Sequence, residues 1–333
     1  MNGPILVTGA TGFIGRALAS RLRRDGVALR CLVRDRARTQ TTGLAPSEIV
    51  EGSLEDEAAL RRAVTGVEAV VHLAGATRAL RAAGFFRANT EGSARLAAAA
   101  AGCSPGLRFV HVSSLAAAGP SVDGRGSDAA PDACRPRSCY GRSKLGGERG
   151  VLVHASRIDW CIVRPPIVYG PGDEATALLV AQASGWLAPV PLGRRPLSLV
   201  HVDDLVTALI FALESRGVPG FFPIDGPERA DTTSLPQRIA AVAGRRVRPL
   251  PVPMPLAFVA GFAADLVHRL TGVPGYFGVD KLRDVASVGW VADPAPARER
   301  LGFTARIGID DGFRSTLAAI RPSGVDPVTR AGG

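Results

Sequence analysis

Lysine is almost missing from this chain: of 40 basic side chains, only Lys144 and Lys281 are lysines. The formal charge of +10 is therefore an arginine charge, scattered in pairs such as Arg23-Arg24, Arg61-Arg62, Arg194-Arg195 and Arg245-Arg246. It forms no stripe and has no interleaved aromatics, so a nucleic-acid partner is not expected, whereas an anionic ligand is compatible with it. Cysteine is also sparse. Cys31, Cys103, Cys134, Cys139 and Cys161 are odd in number and include no C-x-x-C, which excludes a disulfide framework and points to a reducing cytoplasm. His72, His111 and His201 lie at strand or strand-end positions without convergent spacing, so they read as satisfied core histidines and no metal is expected. Long apolar runs are missing too. The uncharged apolar stretch 249–264 contains four prolines and falls short of a bilayer span, so no integral membrane segment is expected. It reads as buried or substrate-lining in preference to a peripheral membrane contact. The first strand starts at Pro4 or Ile5, which leaves no room for a signal peptide.

What is present is ample core material, with 46% hydrophobic residues, arranged in alternation. Short apolar strands are expected at 5–8, 27–33, 48–50, 69–73, 107–113 and 158–164, with helices at 13–24, 55–64 and 85–101. Strands of this kind alternating with longer helices imply an α/β fold, a doubly wound parallel sheet covered on both faces. Beyond Arg164 the regularity fades: helices are expected near 203–214 and 234–242, and strands become sparse. Residues 1–164 are thus read mainly as a Rossmann dinucleotide-binding domain and 165–321 mainly as a smaller substrate-binding region with some segments returning to the sheet. Residues 322–333 read as a frayed tail.

Directly between the first strand and first helix stands Thr8-Gly9-Ala10-Thr11-Gly12-Phe13-Ile14-Gly15. Gly9 permits a tight turn, Gly12 allows close approach of a pyrophosphate, and Gly15 lets the helix pack on the sheet. The amides at the helix start then offer an anion site. Further along, Tyr140 and Lys144 are four residues apart and share a helix face. A phenol is a poor acid or base at neutral pH, and a neighbouring ammonium favours its ionised form. The pair therefore suits proton exchange with an alcohol while hydride moves.

The spacing T-G-x-x-G-x-x-G resembles the fingerprint of the extended short-chain dehydrogenases/reductases, the NAD-dependent epimerase/dehydratase family, in its hydroxysteroid- and dihydroflavonol-reductase-like branch. The resemblance continues through His72-Leu-Ala-Gly75, Asn89 in A-N-T-E-G, Val112-Ser-Ser114, Tyr140-Gly-Arg-Ser-Lys144, Arg164-Pro-Pro-Ile-Val-Tyr-Gly-Pro171 and His201-Val-Asp-Asp204. It implies Tyr140 as general acid/base, Lys144 also on the nicotinamide ribose, Ser114 on the reacting oxygen and Asn89 supporting the lysine through water. Ser114 is chosen over Ser113 by its distance from Gly119. Cofactor contacts implied are Gly9, Thr11, Gly12, Phe13, Ile14, Arg34, Leu54, Leu73, Ala74, Gly75, Tyr140, Lys144, Pro165 and Ile167. A homodimer through a four-helix contact is a further implication of the resemblance.

Arginine at position 34, followed by Asp35, Arg36 and Arg38, replaces the acidic residue expected after the second strand. A guanidinium suits the 2′-phosphate, so NADP(H) is favoured over NAD(H). Ser53 stands where the family often has aspartate. The acidic pair of sugar dehydratases is replaced by Leu115 and Ala116, the asparagine of sugar-nucleotide enzymes by Ile167, and their phosphate-binding arginine by Leu197, with Arg194 or Arg195 as substitutes. Segment 249–277 is similar to the proline-led helix covering the substrate in hydroxysteroid-type reductases, with core packing as the alternative. The favoured function is thus NADP(H)-dependent interconversion of a carbonyl and a secondary alcohol on a small, fairly apolar molecule. The alternatives are a nucleotide-sugar epimerase with tightly held NAD(P) and, behind it, a non-catalytic dinucleotide-binding protein.

Overall fold

A computed structural model describes residues 3–320 except 38 and 40–45; Arg38 and the tail 322–333 lie outside the described residues. The first half alternates β1 (Ile5–Thr8), α1 (Phe13–Arg24), β2 (Leu29–Val33), β3 (Glu48–Glu51), α2 (Glu57–Val64) and β4 (Ala69–His72). It continues with α3 (Ala82–Phe85), a π-helical stretch (Phe86–Glu91), α4 (Gly92–Cys103), β5 (Arg108–Val112), α5 (Leu115–Ala118), α6 (Cys139–Leu152) and β6 (Asp159–Arg164). The second half holds β7 (Ile167–Tyr169), α7 (Glu174–Ala183), β8 (Leu187–Pro191), β9 (Pro196–His201), α8 (Val202–Glu214), β10 (Phe221–Pro223) and β11 (Arg229–Asp231). There follow α9 (Ser234–Val242), β12 (Arg248–Val252), α10 (Met254–Thr271), α11 (Val279–Val285), a second π-helical turn (Ala297–Leu301) and α12 (Ile309–Ile320).

Seven strands form one sheet in the order β10-β6-β5-β4-β1-β2-β3. Every pairing within it is parallel. All strand carboxyl ends therefore lie along one edge, and strand order reverses between β1 and β4, where such sheets bind ligands. Residues 5–8, 69–72 and 108–112 are buried throughout, as expected for strands covered on both faces. In α1, Gly15, Leu18, Ala19 and Leu22 recur at helical spacing and pack with Ile5, Val7 and Val71. On the other face Leu60, Ala63, Val64, Leu96 and Ala100 cover Leu6, Val70 and Phe109.

Three differences from the sequence reading have physical causes. Helix α2 starts at Glu57, because the Asp56 carboxylate caps it by accepting from the Ala59 amide at 3.0 Å. The alanine-rich helix is broken by the π-helical stretch around Asn89, whose side chain turns to serve a neighbouring loop. The strands of the second half, three to six residues long and often proline-bearing, are more numerous than expected; β10 joins the main sheet beside β6. They show little sequence periodicity because partners elsewhere in the chain hold them.

A correction concerns 249–277. The expectation of a buried or core segment fails for α10, where Gly261 alone is fully buried and Leu256, Val259, Phe262, Leu266, Val267 and Leu270 are exposed. Apolar composition sets what a helix can cover but does not supply the partner that covers it.

Candidate active site

The carboxyl edge collects the expected residues from separate strands. Gly9 follows β1 with φ at +73°, and a Cβ there would come within 2.7 Å of the Ala74 amide nitrogen. Gly15 is as constrained: its Cβ would lie 2.2 Å from the Gly9 carbonyl oxygen. Helix α1 is thus seated directly on the turn and on the loop after β4. The Thr8 carbonyl and hydroxyl accept from the Leu73 and Ala74 amides, both at 3.2 Å, which locks the two loops together. Gly12 begins α1 without a side-chain cap and is exposed, so the first amides of the helix face outward with no side chain of their own to satisfy them. That cradle fits a pyrophosphate.

Ser114 follows β5 and caps α5, its hydroxyl accepting from the Ala116 amide at 3.2 Å and lying beside the Tyr140 side chain. Ser113 faces elsewhere: it donates to the Glu148 carboxylate at 2.5 Å, beneath the buried Glu148–Arg164 ion pair at 2.6 Å. Helix α6 places Tyr140 and Lys144 on one face, because Ser138 caps its start by accepting from the Gly141 amide at 2.9 Å. Lys144 is buried, and its ammonium donates to the Val112 carbonyl at 2.7 Å. Burial lowers its pKa to about 8, opposed by the Glu148 carboxylate. The expected depression of the Tyr140 phenol does not occur in the free chain. Burial raises it, the Ser114 hydrogen bond lowers it, and the Asp284 carboxylate raises it again. Lys144 donates into the β5 carbonyl and not toward the phenol.

Asn89 is buried in the π-helical stretch. Its side chain accepts from the Ala76 amide at 2.7 Å and donates to the Ala76 carbonyl at 3.0 Å and the Ser143 hydroxyl at 2.8 Å. It thereby fixes the Gly75–Ala76 backbone next to Lys144; a Cβ on Gly75 would meet the Asn89 oxygen at 2.6 Å. π-bulges concentrate at functional sites, and this one turns a helix residue into a loop clamp. Two residues were not found by sequence reasoning. Asp280 accepts from the Cys139 and Tyr140 amides at 2.7 and 3.1 Å, holding α6 by its positive end. Asp284, one turn later, is 6% exposed, and its Oδ1 has no hydrogen-bond partner. Burial pushes its pKa up to about 6, with Lys281 and Ser138 opposing. Only the i, i+4 acidic spacing in V-D-K-L-R-D marked these two in the sequence.

Arg34 and Asp35 follow β2 and are exposed, and the Asp35 carboxylate is engaged by the Ala37 amide at 2.8 Å. Leu54 packs under Gly92, while the Ser53 hydroxyl accepts from the Glu55 amide at 3.1 Å. Pro165 accepts through its carbonyl from the Leu115 amide at 2.8 Å, tying the end of β6 to the site, and Ile167 opens β7 nearby. Thr11, Phe13 and Ile14 are partly exposed around the turn. Arg194 is paired with Asp231 at 2.7 Å on the surface.

Of the histidines, His72 is satisfied by Thr8 at 2.7 Å and Ser93 at 2.9 Å, and burial lowers its pKa to about 3. His111 departs from expectation: both ring nitrogens are buried without partners, and burial together with Lys144 holds it neutral. His201, not the aspartates beside it, occupies the cap of α8, and Asp204 accepts from the Arg306 and Ile307 amides at 3.0 and 2.8 Å. Tyr169 is buried, stacked on Phe313 at 4.6 Å between ring centres, and serves packing. Among the described residues, no cluster of three or more His, Cys, Asp or Glu could hold a metal ion.

Residues 5–222 match the family model described as the NAD dependent epimerase/dehydratase family. The chain is similar to a ceramide reductase of Caulobacter vibrioides, 34% identical over 97% of this chain and 96% of that protein. It is also similar to a UDP-glucose 4-epimerase of Vibrio cholerae, 26% identical over 96% of both chains. Among solved structures, MoeE5 in complex with UDP-glucose and NAD superposes with a TM-score of 0.72 and 25% identity, over 96% of this chain and 99% of that one. The chain belongs to the NAD-dependent epimerase/dehydratase family and is an enzyme of the extended short-chain dehydrogenase type.

Proposed function

We propose that the chain catalyses NADP(H)-dependent interconversion of a carbonyl and a secondary alcohol on a fairly apolar molecule. The observation that carries this reading is the convergence of Ser114, Tyr140 and Lys144 at the carboxyl end of β5, with Lys144 against the Gly75 loop whose Leu73–Ala74 backbone packs on the glycine turn. The Ser114 hydroxyl orients the substrate oxygen, and Tyr140 gives that oxygen its proton in reduction or takes it in oxidation. A pyridine nucleotide held by that cradle would supply the hydride in reduction or accept it in oxidation. Lys144, cationic at neutral pH in view of a pKa of about 8, stands against the Gly75 loop, where it would hold the ribose of a bound nicotinamide. Asn89 holds the Gly75 backbone and α6 in register with one another, so the cofactor loop and the proton donor share one frame. Arg34, exposed at the end of β2, suits a 2′-phosphate.

For the substrate, the similarity to a ceramide reductase supports a lipid-type ketone or alcohol over a sugar nucleotide. Leu115 and Ala116 where dehydratases carry acids, and Ile167 where sugar-nucleotide enzymes carry asparagine, point the same way. Epimerisation is the second reading, supported by similarity to the UDP-glucose 4-epimerase. Mass spectrometry of the purified protein, followed by a carbonyl panel including a ceramide-type ketone, separates the two. A reductase consumes NADPH stoichiometrically. Tightly retained NAD with no net cofactor turnover, together with sugar-nucleotide isomerisation, overturns the proposal.

A further inference from the structure

Helix α10 is amphipathic in reverse. Its inward face, which packs on α11, holds the polar residues: Asp265 accepts from the Val279 amide at 3.1 Å, and His268 lies against Gly275. Its outward face is an unbroken apolar stripe of Leu256, Val259, Ala260, Phe262, Ala263, Leu266, Val267 and Leu270, with Phe262 67% and Leu270 78% exposed. The parallel ribbon β8–β12 runs straight into this helix and extends the apolar surface through Leu187, Leu192 and Leu250 to Trp186, which is 91% exposed. The basic residues of the segment sit at the margins. Arg245 and Arg246 precede the ribbon, Arg248 opens β12 and Arg269 lies at the end of α10, all exposed, against the single acidic side chain of Asp265 in 244–278. No helix among the described residues is long and apolar enough to cross a membrane.

We infer that this face docks on the surface of an anionic lipid bilayer, with α10 lying in the plane of the interface. Soluble proteins rarely leave an apolar helix face of this length in water without a partner. Its layout, with an apolar helix face, a tryptophan at one end and arginines along the rim, matches what the hydrocarbon–headgroup boundary selects. The chain's +10 charge adds attraction to anionic headgroups. A second copy of the chain is the poorer occupant, because a two-fold contact would set this basic rim against itself. Docking also has a defined relation to the active site. Gly261 of α10 packs on Leu282 of α11, and α11 holds the start of α6 through Asp280. The bilayer face thus lies one helix away from Tyr140. The docking inference stands apart from the reaction proposed above and is tested without it.

The test is co-sedimentation of the full chain with extruded vesicles of phosphatidylcholine alone and of phosphatidylcholine with about one third phosphatidylglycerol. Binding to the anionic vesicles is expected, weakening with salt and falling at least tenfold for Phe262→Glu/Leu266→Glu. These side chains point into solvent, so thermal unfolding of the variant in the absence of vesicles is expected to match the parent. Arg245→Ser/Arg246→Ser/Arg248→Ser is expected to reduce the preference for anionic over neutral vesicles. Independently of any variant in α10, brominated acyl chains are expected to quench the fluorescence of the parent protein and to fail with Trp186→Phe. Failure of the parent to bind either vesicle overturns the inference. So does a concentration-dependent dimer that the Phe262/Leu266 variant abolishes while vesicle binding stays nil.

Discussion

Asp284 is the acidic group whose environment has the clearest energetic consequence. Its carboxyl is 6% exposed, leaves one oxygen unpartnered, and has its pKa raised from 3.8 to about 6. Well below pH 3.8 it is neutral in folded and unfolded chains alike and costs nothing. Between 3.8 and about 6 the unfolded chain ionises first, the native state holds more protons, and stability falls with rising pH. Above about 6 the penalty is complete, and a shift of roughly two units corresponds to about 3 kcal/mol. Asp284→Asn removes this titration while keeping the size of the side chain. Any pH-independent cost of the new amide cancels when the variant–parent difference is compared at two pH values. Urea unfolding followed by far-ultraviolet circular dichroism, near pH 4 and near pH 8, is expected to show that difference moving by about 2.5 kcal/mol in favour of the variant at the higher pH, since about 0.5 kcal/mol is already lost at pH 4. A change under about 1 kcal/mol would mean that the carboxyl is no harder to ionise in the folded chain, and would refute the reasoning. Because Asp284 also raises the Tyr140 phenol, the variant's pH–rate profile is expected to move toward lower pH.

Other outcomes follow from the same geometry. Tyr140→Phe is expected to lower kcat by about 10²–10⁴-fold while cofactor affinity, read by fluorescence titration, stays near that of the parent; retained turnover would remove the phenol from the mechanism. Glu148→Ala strands the Arg164 guanidinium, fully buried with its partner, and is expected to cost about 3–5 kcal/mol in urea unfolding. A loss below about 1 kcal/mol would show that water reaches the pair. Arg34→Ala is expected to cut the preference for NADPH over NADH by about tenfold or more, as for one charge-assisted hydrogen bond; an unchanged ratio of kcat/KM values sinks the assignment.

Local pattern determined much of this protein. Strand positions in the first half, the helix after the glycine turn, and the sharing of one face by Tyr140 and Lys144 follow from periodicity and from glycine geometry, which act over a few residues. The family itself was legible in the order of its motifs. The short strands of the second half were not legible, because β7, β9 and β10 owe their existence to partners far away in the chain. The choice of Ser114 over Ser113 came from its spacing to Gly119, and the tertiary structure adds the physical reason: Glu148 on α6 draws Ser113 away and leaves Ser114 beside the phenol. Asp280 and Asp284 gained their roles when α11 docked against the start of α6, more than a hundred residues earlier in the chain. The apolar stretch at 249–264 declared its composition but not its surroundings. Which surfaces meet, and so which charges are buried and which apolar faces stay open, was decided by the tertiary structure, because burial belongs to the pair of surfaces and not to either sequence alone.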